Sequence, residues 1–345
     1  MELHASLISI DESELWSDSL RELNCDVFSH AGWIKAAAEM DGGRGFLVVA
    51  RRGGESIAAI PLLARSIRGG REDVGSPYGY PGLCHRPNID SKALAQALGV
   101  MCEELGARGF VSCFIRGNPI FEQSCDLGIG ELVHHGSTVS IALDKPMEAR
   151  MSGLASGHRY EIRRTAKAGV VVRGASASVD WQAFRGLYED AMRRLEASAN
   201  YIWPDAHWDQ LRQLSEVGEA TLLMAFNEQQ PLAGAVFLHM PRTSLVHYHL
   251  AAASRANPKL HPGKLLLWEA QEYFAQFGYS RLHLGGGLGG RADSLFQFKA
   301  GFSADRHAFF TRRIILDKAT YQQLTGSVKT DFFPAYRLPS DRGSA

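Results

Sequence analysis

The sequence has no excess charge of either sign: 37 Lys and Arg stand against 37 Asp and Glu in 345 residues. That balance argues against a general nucleic-acid coat and leaves local basic patches as the means of meeting phosphate. Cysteine is scarce. The five, Cys25, Cys84, Cys102, Cys113 and Cys125, form no C-x-x-C pair, so a zinc site is not expected. Their odd number, without a secretory leader, fits reduced structural thiols. The opening MELHASLISIDESELW is acidic and lacks the charged-then-apolar order of a signal peptide. No apolar run approaches the ~18–20 residues that cross a bilayer. These absences lead us to expect a cytoplasmic protein that does not span the membrane. There is also no Gly-x-Ser-x-Gly elbow and no convincing Cys–His pairing, which disfavours a covalent nucleophile. His247, His249 and His283 make no recognisable metal pattern, and no metal is expected.

What is present is an ordinary globular composition, 45% hydrophobic and 21% charged. At roughly 100–200 residues per domain, the length accommodates two. Strand patterns occur at 6–10, 46–51 and 56–65, the last two joined by Arg52-Gly53-Gly54-Glu55. A helix opens near Ser29, a candidate cap, with Trp33, Ala37 and Met40 on one face. A Gly/Pro-rich aromatic loop fills 75–82, a helix 91–107, and strands follow Gly109 and run from 131 to 143. The second half repeats this order. Strands fall at 222–226, 232–240 and 245–252. A helix at 263–277 places Leu267, Ala270, Phe274 and Phe277 on one side, and a strand begins at Arg281. LVVARRGGESIAAIPLLAR (47–65) overlays LLMAFNEQQPLAGAVFLHM (222–240) without gaps. Internal duplication explains this; the competing explanation is coincidence among common α/β elements.

Between the halves, 145–157 reads as a linker. A basic helix follows at 158–169, with Arg159 and Arg163 four residues apart on one face and Gly169 as its stop. Then come a short strand at 170–173 and a helix at 181–197. Asp205 is placed to cap another helix through Leu214. The chain after about Phe332 reads as frayed. The expected domains are 1–145 and 146–330, with a tail at 331–345.

The richest stretch is His283 to Phe302, HLGGGLGGRADSLFQFKAGF. It reads as a strand end, a glycine turn, a short helix carrying Lys299 and the start of a last strand. Gly285, Gly286 and Gly287 leave backbone N–H groups uncovered, so a substrate can approach the main chain. Phe298 and Lys299 set an aromatic ring beside a cation, and acyl transfer needs a positive group where oxyanion charge develops. The plainer reading is a flexible loop and a solvated lysine.

Several separate stretches together resemble one family: Trp33-Ile34-Lys35, SPYGYPG at 76–82, RYEIRRTAKAGV, Tyr188 with Asn200-Tyr201, GKLLLWEA and LGGG…SLFQFKAGF. In their order, over roughly 25–318, they resemble the FemABX peptidyltransferases and related FemAB-like acyltransferases of the GNAT superfamily. The resemblance implies an α/β (α+β) chain of two tandem GNAT-like domains, each a mixed, mainly antiparallel sheet flanked by helices. Such enzymes move an amino acid from aminoacyl-tRNA to an amine of a peptidoglycan precursor peptide, and relatives acylate other amines, some presumed to use acyl-CoA. By similarity, Lys35 corresponds to a lysine near precursor phosphate. Phe298 and Lys299 correspond to a Phe-Lys pair near the reacting acyl group, and Tyr78 and Tyr248 to substrate-lining tyrosines. Two departures stand out. The basic residue before the aromatic of the 200 region is missing, since the segment reads Ala197-Ser198-Ala199-Asn200-Tyr201. An R/Q-x-x-G-x-G/A loop for the pyrophosphate of CoA is also missing, and Pro262-Gly263-Lys264 is its nearest counterpart.

The expected chemistry is attack of a neutral amine on an ester or thioester, with aminoacyl-tRNA or acyl-CoA as co-substrate and no bound cofactor. The acceptor is a small molecule or precursor peptide; tRNA is a possible partner and DNA is not. Lys299 and Phe298 are the catalytic candidates. Lys35, Tyr78, Tyr80, Arg159, Arg163, Tyr201, Tyr248, Gly285, Gly286 and Gly287 are the substrate-binding ones. Each has a plain alternative: the arginines as the solvated face of a helix, the loop tyrosines as turn packing, Phe298 as core, His247 and His249 as structural histidines. At the level of the whole chain, the rival is a binding protein that keeps the fold without catalysis.

Overall fold

The computed structural model describes residues 2–121, 126–175, 178–198, 201–240, 243–255, 257 and 259–338. Cys125, Asn200 and the last residues of the expected tail lie outside them. The chain divides into two compact units. The first comprises residues up to 135 together with those from 308 on; the second comprises 136–307.

In the first unit, β1 (Leu3–Ser9), β2 (Arg44–Arg52), β3 (Glu55–Ile67) and β4 (Arg71–Gly75) pair as an antiparallel meander. Helices α1 (Ser13–Leu20) and α2 (Ala31–Asp41) intervene between β1 and β2. The β2–β3 turn is made by Gly53 and Gly54, both at positive φ (61° and 85°), the conformation that a tight hairpin twisted like its strands requires. The short strand β5 (Cys84–His85) pairs with β3. Helix α3 (Ser91–Ala107) leads to β6 (Phe110–Arg116), which runs parallel to β4. Asp90 starts α3 by accepting the Ala93 N–H at 2.8 Å. Its Leu94, Ala97, Leu98, Met101 and Leu105 face a core built with Phe46, Val48, Ile60 and Leu62.

The second unit repeats this plan. After α4 (Met147–Gly153) and α5 (Ser156–Lys167) come β8 (Val170–Gly174), α6 (Ser178–Arg194) and α7 (Asp205–Glu216). Strands β9 (Ala220–Asn227), β10 (Gln230–His239) and β11 (Leu245–Ala253) complete an antiparallel meander with β8. Helix α8 (Pro262–Gln276) returns the chain to β12 (Arg281–Gly285), parallel to β11. Strands β9 and β10 are buried almost end to end, as expected where helices cover both faces of a sheet. Four antiparallel strands, a helix and a fifth, parallel strand thus occur twice, as expected of tandem GNAT-like domains.

Each unit has a further antiparallel strand beside its parallel one, and the two come from unexpected places. In the second unit it is residues 139–142 of β7 (Glu131–Ala142), which pair with β12. In the first it is β13 (Arg306–Ile315), whose Thr311–Ile315 pair with β6. After β13 comes α10 (Lys318–Thr325). The chain through Leu338 is tied down rather than frayed. Arg337 reaches both carboxylate oxygens of Asp73, at 2.6 and 2.8 Å, and Tyr336 adds a hydroxyl at 3.1 Å. Asp73 is 0% exposed.

Other local expectations give way too. Ser29 does not cap α2; its hydroxyl donates to the Pro81 carbonyl at 3.2 Å. Asp205 is not a cap but opens α7 and pairs with Arg185 at 2.7 Å. The linker contains α4. Phe277 ends α8 in solvent, 66% exposed.

Candidate active site

In the second unit, β11 and β12 pair only over Leu245–His247 and Arg281–His283, while β11 continues to Ala253. At the last paired position, His247 and His283 are buried and hydrogen bonded, Nδ1 to Nδ1, at 3.1 Å. One ring therefore donates and the other accepts. Burial holds His283 well below the ordinary imidazole range, and the neighbouring His247 and Lys299 push the same way. His283 is thus neutral. Beside it, Arg281 donates to the Ser140 hydroxyl at 2.9 Å, and that oxygen lies 2.7 Å from His307 Nε2.

Strand β12 ends at Gly285, which has φ 76° and shifts the register against β7. A Cβ on Gly287 would lie 2.1 Å from the Arg291 carbonyl oxygen, so any larger residue there forces the turn to shift. The turn closes on Asp293. Its carboxylate accepts the Leu288 and Phe296 N–H groups, each at 2.9 Å, joining the turn to α9 (Ser294–Ala300). Despite some desolvation, these backbone donors hold the Asp293 carboxyl below its usual range.

Helix α9 turns Lys299 back over the glycines. Its Nζ donates to the Gly286 carbonyl at 2.7 Å, and the residue is 9% exposed. Burial lowers its pKa from 10.5 to about 8, with Asp293 pulling the other way. The lysine therefore remains mostly protonated at neutral pH and is held by one neutral acceptor. Such a cation in a low-dielectric surround can exchange its carbonyl partner for a developing oxyanion.

A residue the sequence reading passed over fixes this arrangement. His158, on the inner face of α5, lies 2.9 Å through Nε2 from the Phe298 carbonyl. Burial keeps His158 below its ordinary range; since a carbonyl only accepts, Nε2 carries the proton. The ring packs against Phe298 and Phe302 at 5.8 and 4.7 Å. A Cβ on Gly301 would stand 2.4 Å from it, which accounts for the glycine of FKAGF. The signal was present as a lone imidazole in a helix otherwise read for its cations.

The other candidates scatter. Tyr248 packs on Phe237 at 5.7 Å, its phenol pushed up by burial. The Tyr201 carbonyl accepts from Tyr188, whose hydroxyl in turn accepts from Trp203. Arg159 donates to the Met151 and Ser152 carbonyls and, with Arg163, belongs to the outer face of α5. Lys35, Tyr78 and Tyr80 lie in the first unit. There Trp33 donates to the Tyr78 carbonyl at 2.9 Å, and Tyr80 meets Phe28 and Phe309 edge to face. Lys35 is exposed on α2. Gly79 has φ 107°, and a Cβ there would strike the Phe28 ring at 2.3 Å.

Three of the four described cysteines are poor sources of a thiolate. Cys84 is raised by its hydrogen bond to Cys25 and by burial, Cys113 by burial, and Cys102 by burial to about 12; none is a ready thiolate. Among the same residues, no group of three or more His, Cys, Asp or Glu is placed to hold a metal, and no helix is long and apolar enough to cross a membrane.

Residues 154–299, the segment from the start of α5 to Lys299, match the family model for an acetyltransferase (GNAT) domain. FemX shares the fold with a TM-score of 0.66 at 14% identity, over 94% of this chain and 99% of that one. L-PGS from Bacillus licheniformis gives 0.57 at 13%, over 88% and 92%. A tandem GNAT protein from the clavulanic acid biosynthesis pathway gives 0.50 at 15%, over 90% and 98%. No curated protein matches the sequence. At these identities the structural likeness is one of fold: residues 154–299 match a GNAT acetyltransferase domain, in a chain whose fold is shared with FemX and with the tandem GNAT protein.

Proposed function

We propose that this protein transfers an aminoacyl group from aminoacyl-tRNA to a primary amine of a cell-envelope precursor or related metabolite, by direct attack. The amine nitrogen bonds to the ester carbonyl carbon, the ribose ester C–O bond breaks, and the amine proton leaves with the ribose hydroxyl. Lys299 takes the carbonyl oxygen as it becomes an oxyanion, and Phe298 flanks the acyl group. Gly285, Gly286 and Gly287 admit the ester to the backbone. Tyr201 and Tyr248 line the substrate, and Arg159 and Arg163 meet donor phosphate. Positioning supplies on the order of 7–11 kcal/mol and the oxyanion contact about 3 kcal/mol. The observation that carries this reading is the buried ammonium of Lys299, 2.7 Å from the Gly286 carbonyl at the end of β12.

A second reading, acyl-CoA-dependent acylation of an amino sugar or amino acid, draws support from the early parting of β11 and β12, where a thioester arm would lie. Against it, Lys264, the cation at the start of α8, is already paired with Glu161. Purified protein is supplied with mixed amine acceptors and either labelled aminoacyl-tRNAs or labelled acyl-CoAs. Label transferred from the RNA ester supports the first reading. Transfer from the thioester alone, with RNA inert, replaces it with the second.

A further inference from the structure

Helix α5 has two unlike faces. His158, Ile162 and Thr165 point inward. Outward, Arg159, Tyr160, Arg163, Arg164 and Lys167 line an open concavity, following the three- and four-residue spacing of one helical face. That face carries no acidic residue. The helix's one carboxylate, Glu161, is turned aside to Lys264 and His261. Arg163, Arg164 and Lys167 are exposed, and no carboxylate among the described residues pairs with them. In a chain whose total charge is zero, this is a local cationic surplus. Tyr160 stands among the cations with 64% of its surface in water.

We propose that the outer face of α5 is a docking surface for a single-stranded RNA end, rising from the aminoacyl-RNA-dependent reading above and resting on it. From Arg159 to Lys167 the face spans about 12 Å at ~1.5 Å per residue, long enough to meet a short run of phosphates on one strand. Arginine forks match phosphate oxygens in pairs. An exposed tyrosine between cations offers a stacking platform, and only an unpaired base has a free face to lay on it. The inner side of the same helix holds the Phe298 carbonyl through His158. A strand docked outside is thus about one helix diameter, roughly 10 Å, from the segment that carries Lys299.

The test measures binding of fluorescent tRNA with its single-stranded 3′ end, by anisotropy across a salt series. It compares the wild-type chain, R163A/R164A/K167A, Tyr160→Ala and Lys299→Ala, each verified as folded by circular dichroism. The wild type and Lys299→Ala bind alike. The triple variant loses at least tenfold in affinity, and its salt dependence flattens by about two to three in log–log slope. Tyr160→Ala weakens binding roughly tenfold with the slope unchanged. Wild-type affinity and slope in the triple variant, or equal binding of duplex DNA of matched length, overturns the proposal. So does an absence of RNA binding at low salt, and acyl transfer from a thioester would survive that result. If RNA binds through α5 but its ester is never transferred, the docking surface stands and the donor assignment falls.

Discussion

Lys299 departs from what a lysine ordinarily does on a helix end: it is buried, and its pKa falls from 10.5 to about 8 through loss of solvation. The linkage has a definite sign. Between about 8 and 10.5 the unfolded chain binds the proton that the folded chain has released, so stability rises with pH across that window. Below it the folded state carries the full penalty, on the order of 3 kcal/mol. Lys299→Met removes the term. Urea unfolding at several pH values should therefore show the variant gaining on the wild type at neutral pH, with the gap closing above pH 8. A difference independent of pH would mean that the lysine is not buried as described. Activity runs the other way, because oxyanion stabilisation needs the charged form. The alkaline limb of kcat/KM should fall near pH 8 and vanish in Lys299→Arg, whose cation does not titrate there. A rate that climbs through pH 8 would make Lys299 a base instead. Next to it, Gly287→Ala sets a methyl 2.1 Å from the Arg291 carbonyl. It should cost about 1–3 kcal/mol, read as a lower denaturation midpoint.

At the scale of elements, α9 and α5 act together. Asp293 starts α9 and holds the glycine turn with the same carboxylate, so Asp293→Ala should cost about 1 kcal/mol. His158→Phe keeps a ring beside Phe302 but removes the donor to the Phe298 carbonyl. It should lower kcat more than it raises KM, since the lysine is misplaced while the proposed docking surface outside α5 is untouched. Equal loss in both would leave His158 a packing residue only. Much at this scale was legible in the sequence. Helix α3, the β2–β3 hairpin, β11 and the short helix carrying Lys299 follow from periodicity and glycine turns. What was hidden depends on partners far along the chain. β4 reads Arg-Glu-Asp-Val-Gly, unlike a strand, because its charge is neutralised by Arg337. His158 reads as one more polar residue until Gly301 shows where its ring lies.

Over the whole molecule, two units repeat one topology, and each adds a further antiparallel strand beside its parallel one. The gapless overlay of two hairpins made the repetition visible. It could not reveal where β7 and β13 pair, since the pairing of each is set by the folded edge that it fills. The last described residues belong to the first unit's stability. Arg337→Met leaves the Asp73 carboxylate buried without its main partner and should cost on the order of 3 kcal/mol. An unchanged midpoint would show the terminal anchor to be idle. The proposed transfer turns on Lys299 meeting the carbonyl oxygen. The most direct measurement is kcat/KM for label transfer to amine by Lys299→Ala beside the wild type, with both folds checked by circular dichroism. A loss of roughly a hundredfold or more, with donor binding retained, is the expected result; turnover at the wild-type rate would contradict it.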